Sequence, residues 1–478
     1  MKLKIYLIYI LFVLTDSNIS AQDFLIKAEK EVFVGATGST SGINPFWLRS
    51  NVYGTVPLES NYATAGGKIT FDYDSTYTLA KKLKKFNWGY GVDALANFGS
   101  ENRFYLPEIY GKVRYGAFEL YIGKRREIFG LVDSTLSSGS FSWSGNAMPL
   151  PKIQLSIPNF VNIDKKGLFS IKGGYAHGYF DNNRQYTRNV KLHQKWMYVK
   201  LGKPNWRVNL FSGFNHQVMW GGQSPFFSTN GQLPNGWKYY KFVVSGKRGA
   251  LYDGKTGFFD SNRIGNHLGS IDLGASVISK FGSLIIYRQS FYEDGSLFYL
   301  LNIKDGLNGI ILKTKLKKIA KINFEFLNTT DQGGNVFIIE NEFLRGGDSY
   351  YLNSQYFDGY SNRTKIIGTP FIQIPSIGWS EEKSLKSFYY NNNRVRVFHL
   401  GLDGNLNGLN YEFKYSFSKN LGSYTGTINH SQTSLVNKFL YTFQKVRLIS
   451  DISVISGLDI GNLYPKNFGT SLVIRKTI

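Results

Sequence analysis

The sequence predicts an all-β protein, a transmembrane outer-membrane β-barrel of about 16–18 antiparallel strands with its lumen plugged by loops and short helices. Three observations carry this expectation. From Leu409 to Phe417 every odd position is Leu, Tyr or Phe and every even one is polar or charged, so a strand there has one apolar and one polar face. That alternation recurs along the chain behind an export signal. There is no Cys, and 16% of residues are aromatic, as a sheet edged by aromatic girdles requires.

Taken in order, the chain opens with Met1-Lys2-Leu3-Lys4, an apolar run from Ile5 to Leu14, and polar residues ending at Ala21-Gln22. This reads as a signal peptide over 1–21, leaving 22–478 as a single barrel domain. The apolar run is shorter than the roughly 20 residues a spanning helix needs. Without Cys there is no disulfide framework and no acylated anchor, so the fold itself must hold the membrane.

Alternating segments fall at Lys68–Tyr73, Ile109–Tyr115, Phe118–Ile122, Phe169–Tyr175, Arg207–Phe214, Ile271–Val277, Lys321–Phe326, Arg394–Val397, Phe439–Phe443, Val446–Val454 and Leu472–Ile474, each a strand by its period. Gly116-Ala117 leaves room only for a tight periplasmic hairpin. Irregular stretches at 131–161, 221–237 and 344–376 are too long for turns and are expected to be surface loops or a plug. The lysine-rich 81–85 and 313–321 read as solvated turns or strand ends, or as grips on lipid phosphates. The chain shows no short repeat and no linker.

The formal charge is +23, and removing Lys2, Lys4 and Asp16 with the signal peptide lowers it to +22. Such a charge gathers partners of opposite sign. For an exported barrel these are acidic capsular or extracellular polysaccharide, outer-membrane lipid and the phosphates of lipopolysaccharide, and not nucleic acid. Catalysis finds little support. Asn215 and His216 are strand neighbours pointing to opposite faces, Glu381-Glu382 and Asp72 with Asp74 are ordinary charged positions, and no His-Glu-x-x-His offers a metal site. No cofactor is expected.

Several irregular segments carry a family resemblance. They are Gly123-Lys124-Arg125-Arg126 followed by Ser138–Ile153, SGSFSWSGNAMPLPKI; Asn215–Gly222, NHQVMWGG; Gly346-Gly347-Asp348-Ser349-Tyr350-Tyr351; and Gly359–Phe371, GYSNRTKIIGTPF. With Asn44-Pro45-Phe46-Trp47 and Leu192-His193-Gln194-Lys195, they make the chain similar to the capsule assembly protein Wzi family in its Bacteroidetes-type form. It departs from that pattern at Ser354 and Tyr360, and in ending on Ile478 instead of Phe. The resemblance implies a barrel of about eighteen strands closed by loops and periplasmic helices, acting as a surface lectin for capsular polysaccharide and not as an enzyme.

Sugars offer C–H faces to Tyr and Trp, and hydroxyls or carboxylates to Arg and amides. Trp143, Asn146, Arg345, Asp348, Tyr350, Tyr351 and Arg363 supply that set and are the expected polysaccharide-binding residues. A loop Trp also serves to pin a loop to the wall. The alternative function is an outer-membrane channel, porin or polysaccharide export pore, its lumen lined by polar residues such as Asn410, Glu412 and Lys414.

Overall fold

The computed structural model describes residues 28–73, 86–247, 263–293, 295–335, 338–340, 343–373, 392–444, 446 and 448–478. The expected signal peptide, the lysine cluster at 81–85, Asp74 and Glu381-Glu382 lie outside the described residues.

The period-two pattern folds as strands β1 (Glu29–Ser39), β2 (Tyr62–Phe71), β3 (Phe86–Phe98), β4 (Arg103–Tyr115), β5 (Phe118–Lys124), β6 (Lys152–Asn162), β7 (Phe169–Tyr179), β8 (Lys191–Leu201), β9 (Val208–Trp220), β10 (Asn266–Ser279), β11 (Gly282–Glu293), β12 (Gly306–Thr314) and β13 (Lys321–Asn328). Two small hairpins follow, β14 (Ile338–Glu340) with β15 (Phe343–Arg345) and β16 (Ser361–Asn362) with β17 (Lys365–Ile366). The wall then resumes with β18 (Val395–Leu406), β19 (Leu409–Gly422), β20 (Thr427–Thr442), β21 (Asp451–Gly461) and β22 (Asn467–Thr477). The main sheet has 18 strands, each antiparallel to its neighbours, and β22 closes on β1 with Val34 opposite Ile474.

Connections differ sharply between the two ends. At the end carrying both termini most are short, such as 116–117, 280–281 and 407–408, with 72–85 the exception, whereas the opposite end carries 40–61 (L1), 125–151 (L3), 180–190 (L4), 221–265 (L5), 294–305 (L6) and 329–394 (L7). Short periplasmic turns and long extracellular loops orient the barrel. Lys313–Lys321 forms one of the short turns.

Outward side chains make an apolar band that includes Phe104, Ile122, Leu210 and Leu273, between 49% and 66% exposed. In water such a band would drive association; a bilayer supplies its missing neighbours. Both strand prolines beyond the edges sit at register shifts. Leu106-Pro107 lies opposite Ala94, and Pro158 lies in the shift between Ile157 and Val161. A bulge is where the ladder asks for no N–H, which proline lacks.

The interior is a core instead of a hollow. L1, L3 and L7 fold into the lumen, where Phe46, Trp47, Phe141, Trp143, Tyr350 and Tyr351 pack against inward Leu192, Trp196, Tyr198, Phe291 and Val397 of the wall. Several expectations need correction. Lys152–Val161 and Asn215–Trp220, read as irregular, belong to β6 and β9, because the plug makes their lumen face pack like a core and blurs the alternation. Val446, read as strand, precedes β21. Of the two helices among the described residues, α1 (Phe46–Arg49) belongs to the plug, while α2 (Trp237–Ser245) packs outside the wall on Val218 and Trp220 of β9. Neither lies at the periplasmic end.

Candidate functional site

L3 crosses the lumen through bonds to strands far from its own. The Leu131 N–H donates to Asp272 Oδ2 (3.1 Å), Phe141 N–H to Gln289 Oε1 (3.2 Å) and Ser138 N–H to Glu325 Oε2 (2.6 Å), while His399 Nε2 donates to Leu136 O (2.6 Å). The Phe141 ring stacks on Phe291 at 3.8 Å and on Tyr351 at 5.1 Å. L1 is held by the Phe46 N–H on Asp459 Oδ2 (2.8 Å) and the Trp47 indole on Ser416 Oγ (3.2 Å). L7 is held by Tyr360, whose hydroxyl meets Asn266 O (2.5 Å) and accepts the Met219 N–H (3.1 Å). A buried backbone group stays buried only with a partner, and here the wall provides one for each loop.

The structure brings most of the expected sugar-binding residues into this plug. Trp143 is buried edge-on to Phe129, with Lys152 Nζ 4.6 Å from its ring centroid. Asn146 Nδ2 donates to Ile366 O (2.9 Å) and its Oδ1 accepts the Asn51 N–H (3.1 Å), so it ties L3 to L7 and L1. Asp348 accepts from Ser296 Oγ (2.6 Å) and Asn302 Nδ2 (3.0 Å). The Tyr350 hydroxyl donates to Asp305 Oδ2 (2.7 Å), and Tyr351 donates to Phe141 O. Arg345 ends β15. Arg363 stands apart from these, exposed at the tip between β16 and β17, in left-handed backbone (φ 46°), its N–H on Asp181 Oδ2 of L4 (2.6 Å).

Charges inside the barrel are largely paired. Arg125 lies between Glu119 (2.6 Å) and Glu127 (3.2 Å), and Lys152 meets Glu127 at 2.5 Å. At the mouth Arg103 is paired with Glu59 (3.3 Å) and Glu101 (2.7 Å). Burial, then the Arg49 guanidinium, push Lys365 down to about 7, with Arg103 adding to the effect and Glu59 opposing it. Burial is the larger cause, so the depression reports chiefly desolvation of the ammonium, with the neighbouring guanidinium groups adding to it.

One arrangement escaped the sequence reading. On the outer wall at the extracellular end, Tyr179 of β7, Lys191 of β8 and Trp220 of β9 meet Trp237 and Tyr240 of α2 around a small cavity. Tyr240 Oη lies 2.7 Å from His177 Nε2, and Lys191 Nζ donates to Asn235 Oδ1 (2.6 Å). Nearby, His216 faces outward toward His267 (3.0 Å) while Asn215 faces the lumen and Ser142 Oγ (2.9 Å). The two neighbours do point to opposite faces. Among the described residues no group of His, Cys, Asp and Glu is arranged to hold a metal.

Comparison with known proteins adds three findings. No curated protein matches the sequence. Among solved structures the chain is similar to Pseudomonas aeruginosa OpdQ (13% identity, 95% of this chain and 97% of that one, TM-score 0.46) and Acinetobacter baumannii OccAB4 (10% identity, 95% and 98%, TM-score 0.46). It is also similar to a BenF-like porin from Pseudomonas fluorescens (10% identity, 95% and 99%, TM-score 0.42). At such scores these likenesses carry no argument about function. The family model described as capsule assembly protein Wzi matches residues 44–372, a span that runs from L1 into L7 and takes in the L3–L7 contacts described above. With that match, the closed 18-strand barrel and its apolar outer band, the chain belongs to the capsule assembly protein Wzi family and is an integral outer-membrane protein.

Proposed function

We propose that this chain is a non-enzymatic surface lectin, exported by residues 1–21, whose extracellular loops bind acidic capsular polysaccharide and attach it to the cell. The observation that carries the reading is the plug. L3 alone reaches Asp272, Glu325 and His399 across the lumen, which supports a barrel built to present loops and not to pass a polymer. The +22 charge of residues 22–478 and the exposed Arg363 at the tip between β16 and β17 favour an acidic ligand. In this reading Arg363 touches the polymer. Trp143, Asn146, Asp348, Tyr350 and Tyr351 set the shape of the loops that present it.

The test is the fate of the polymer in a strain lacking the gene. Polysaccharide made normally but shed into the medium supports attachment, and complementation by Arg363→Ala should restore retention only in part. Polymer that stays on the cells, or accumulates inside them, would sink the reading.

A second reading, a channel, rests on a cavity of about 260 Å³ under the plug, lined by Trp47, Asp133, Glu412, Lys414 and Lys438. Planar-bilayer recording separates the two, since a steady unitary current requires a continuous aqueous path.

A further inference from the structure

The cavity on the outer wall lies away from the mouth. It measures about 250 Å³ and is lined by His177, Tyr179, Lys191, Trp220, Trp237 and Tyr240. Pockets that enclose drug-sized ligands run from roughly 300 to 1,000 Å³, so this one suits a single ring.

Three features mark its lining. Lys191 Nζ stands 4.8 Å from the Trp220 ring centroid, its one hydrogen bond goes to a neutral amide, and no carboxylate pairs with it among the described residues. The Trp220 indole N–H is buried, in a residue 6% exposed, with no acceptor among the described residues. Trp237, by contrast, is 86% exposed and offers a flat apolar face. A cation with no carboxylate partner among the described residues and an open aromatic face together match an anionic sugar.

Location decides which anionic sugar. Tyr179 ends β7, Lys191 begins β8 and Trp220 ends β9, so the pocket sits at the extracellular edge of the lipid-facing wall. On the same outward face toward the membrane lie Met197, 44% exposed, and Leu210, 49% exposed. A headgroup in the pocket would therefore trail its chains over apolar wall. We infer that this pocket binds the phosphorylated sugar headgroup of an outer-leaflet glycolipid, with the phosphate on Lys191 and the sugar against Trp237. The inference stands independently of polysaccharide attachment at the mouth.

The full-length protein in phosphatidylcholine nanodiscs would be offered diphosphoryl lipid A, its fully dephosphorylated form and a soluble glucuronic-acid oligosaccharide, with bound species read by native mass spectrometry. Diphosphoryl lipid A should be retained, at least 10-fold more weakly by Lys191→Ala and by Trp237→Ala, and nearly normally by Lys191→Arg. The dephosphorylated lipid should bind wild type no better than the diphosphoryl form binds Lys191→Ala. Heat-modifiable migration on gels establishes that each variant is a closed barrel. Equal binding of the two lipids, undiminished binding by both alanine variants, or a loss confined to the soluble oligosaccharide would overturn the assignment. Lys191→Ala cells that keep their polymer but lose the lipid would separate this site from the mouth.

Discussion

Asp305, the last residue of L6, receives the Tyr350 hydroxyl (2.7 Å), the Gln332 N–H (2.8 Å) and the Asp331 N–H (3.0 Å), and so fastens L7 to L6. Burial nevertheless pushes its carboxyl up to about 6, against these bonds. A raised carboxyl favours the folded arrangement when protonated. The stabilisation is therefore complete below the unfolded value near 4 and is lost as pH rises through about 6, a change of up to roughly 3 kcal/mol. Hydrogen-exchange protection across 346–360, each rate taken relative to the free-peptide rate at the same pH, should fall from pH 4.5 to pH 7.5, and Asp305→Asn should flatten that dependence. If the variant tracks wild type, Asp305 is not the fastening. Phe141, fully buried between Phe291 and Tyr351, makes a second test, since Phe141→Ala should loosen the plug by roughly 3–5 kcal/mol. Protease nicking of L3 in folded, heat-modifiable protein measures it. At this scale the sequence identified residue types better than their use. Trp, Tyr, Asn and Asp suit a sugar and a loop anchor equally, and which role each takes is fixed by partners such as Asp305 and Ile366 that lie far along the chain. Lys191 and Trp237 went unnoticed, and Trp220 was read only within the Asn215–Gly222 segment, because β-pairing and α2, not sequence proximity, bring them together.

Among the strands, legibility followed what each face touches. β19 alternates cleanly, with Lys414, Ser416 and Ser418 buried inward and Phe417 outward, because one face meets lipid and the other a polar lumen. β8 reads in reverse, with Leu192, Trp196 and Tyr198 inward against the plug and Lys191, His193 and Lys195 outward. Lys195 Nζ there bonds Val244 O of α2. A strand roofed on both sides by protein loses the polarity signal that a two-solvent strand keeps. The plug loops make a prediction of their own. Deleting 131–150 removes the segment that spans the lumen while leaving β5 and β6 intact, so the variant should insert as a closed barrel and conduct steadily in a planar bilayer where wild type is silent. Equal conductance of the two would place the seal elsewhere than L3.

For the whole molecule, net charge and closure matter most. Exposed charges act across the Debye length, which shrinks from about 8 Å at 0.15 M salt to about 3 Å at 1 M. Binding of acidic polysaccharide to purified protein should fall several-fold over that range, and binding indifferent to salt would remove the electrostatic half of the lectin reading. The mature protein should begin at Gln22 when its N-terminus is sequenced. Closure has a further consequence. The seam joins Glu31 to Thr477 and Val34 to Ile474, so the first strand to leave the export machinery waits for the last before either edge is satisfied. Until then the chain carries two unpaired sheet edges, the feature that recruits foreign strands. The plug shares this timing, because Phe46 needs Asp459 and Ser138 needs Glu325. Wall and plug therefore come together late and as one event, through contacts of very long sequence separation, which makes biogenesis slow. Damage to the C-terminal hairpin should then be felt first as a failure of assembly, with the half-built sheet delivered to periplasmic quality control before it ever reaches the cell surface.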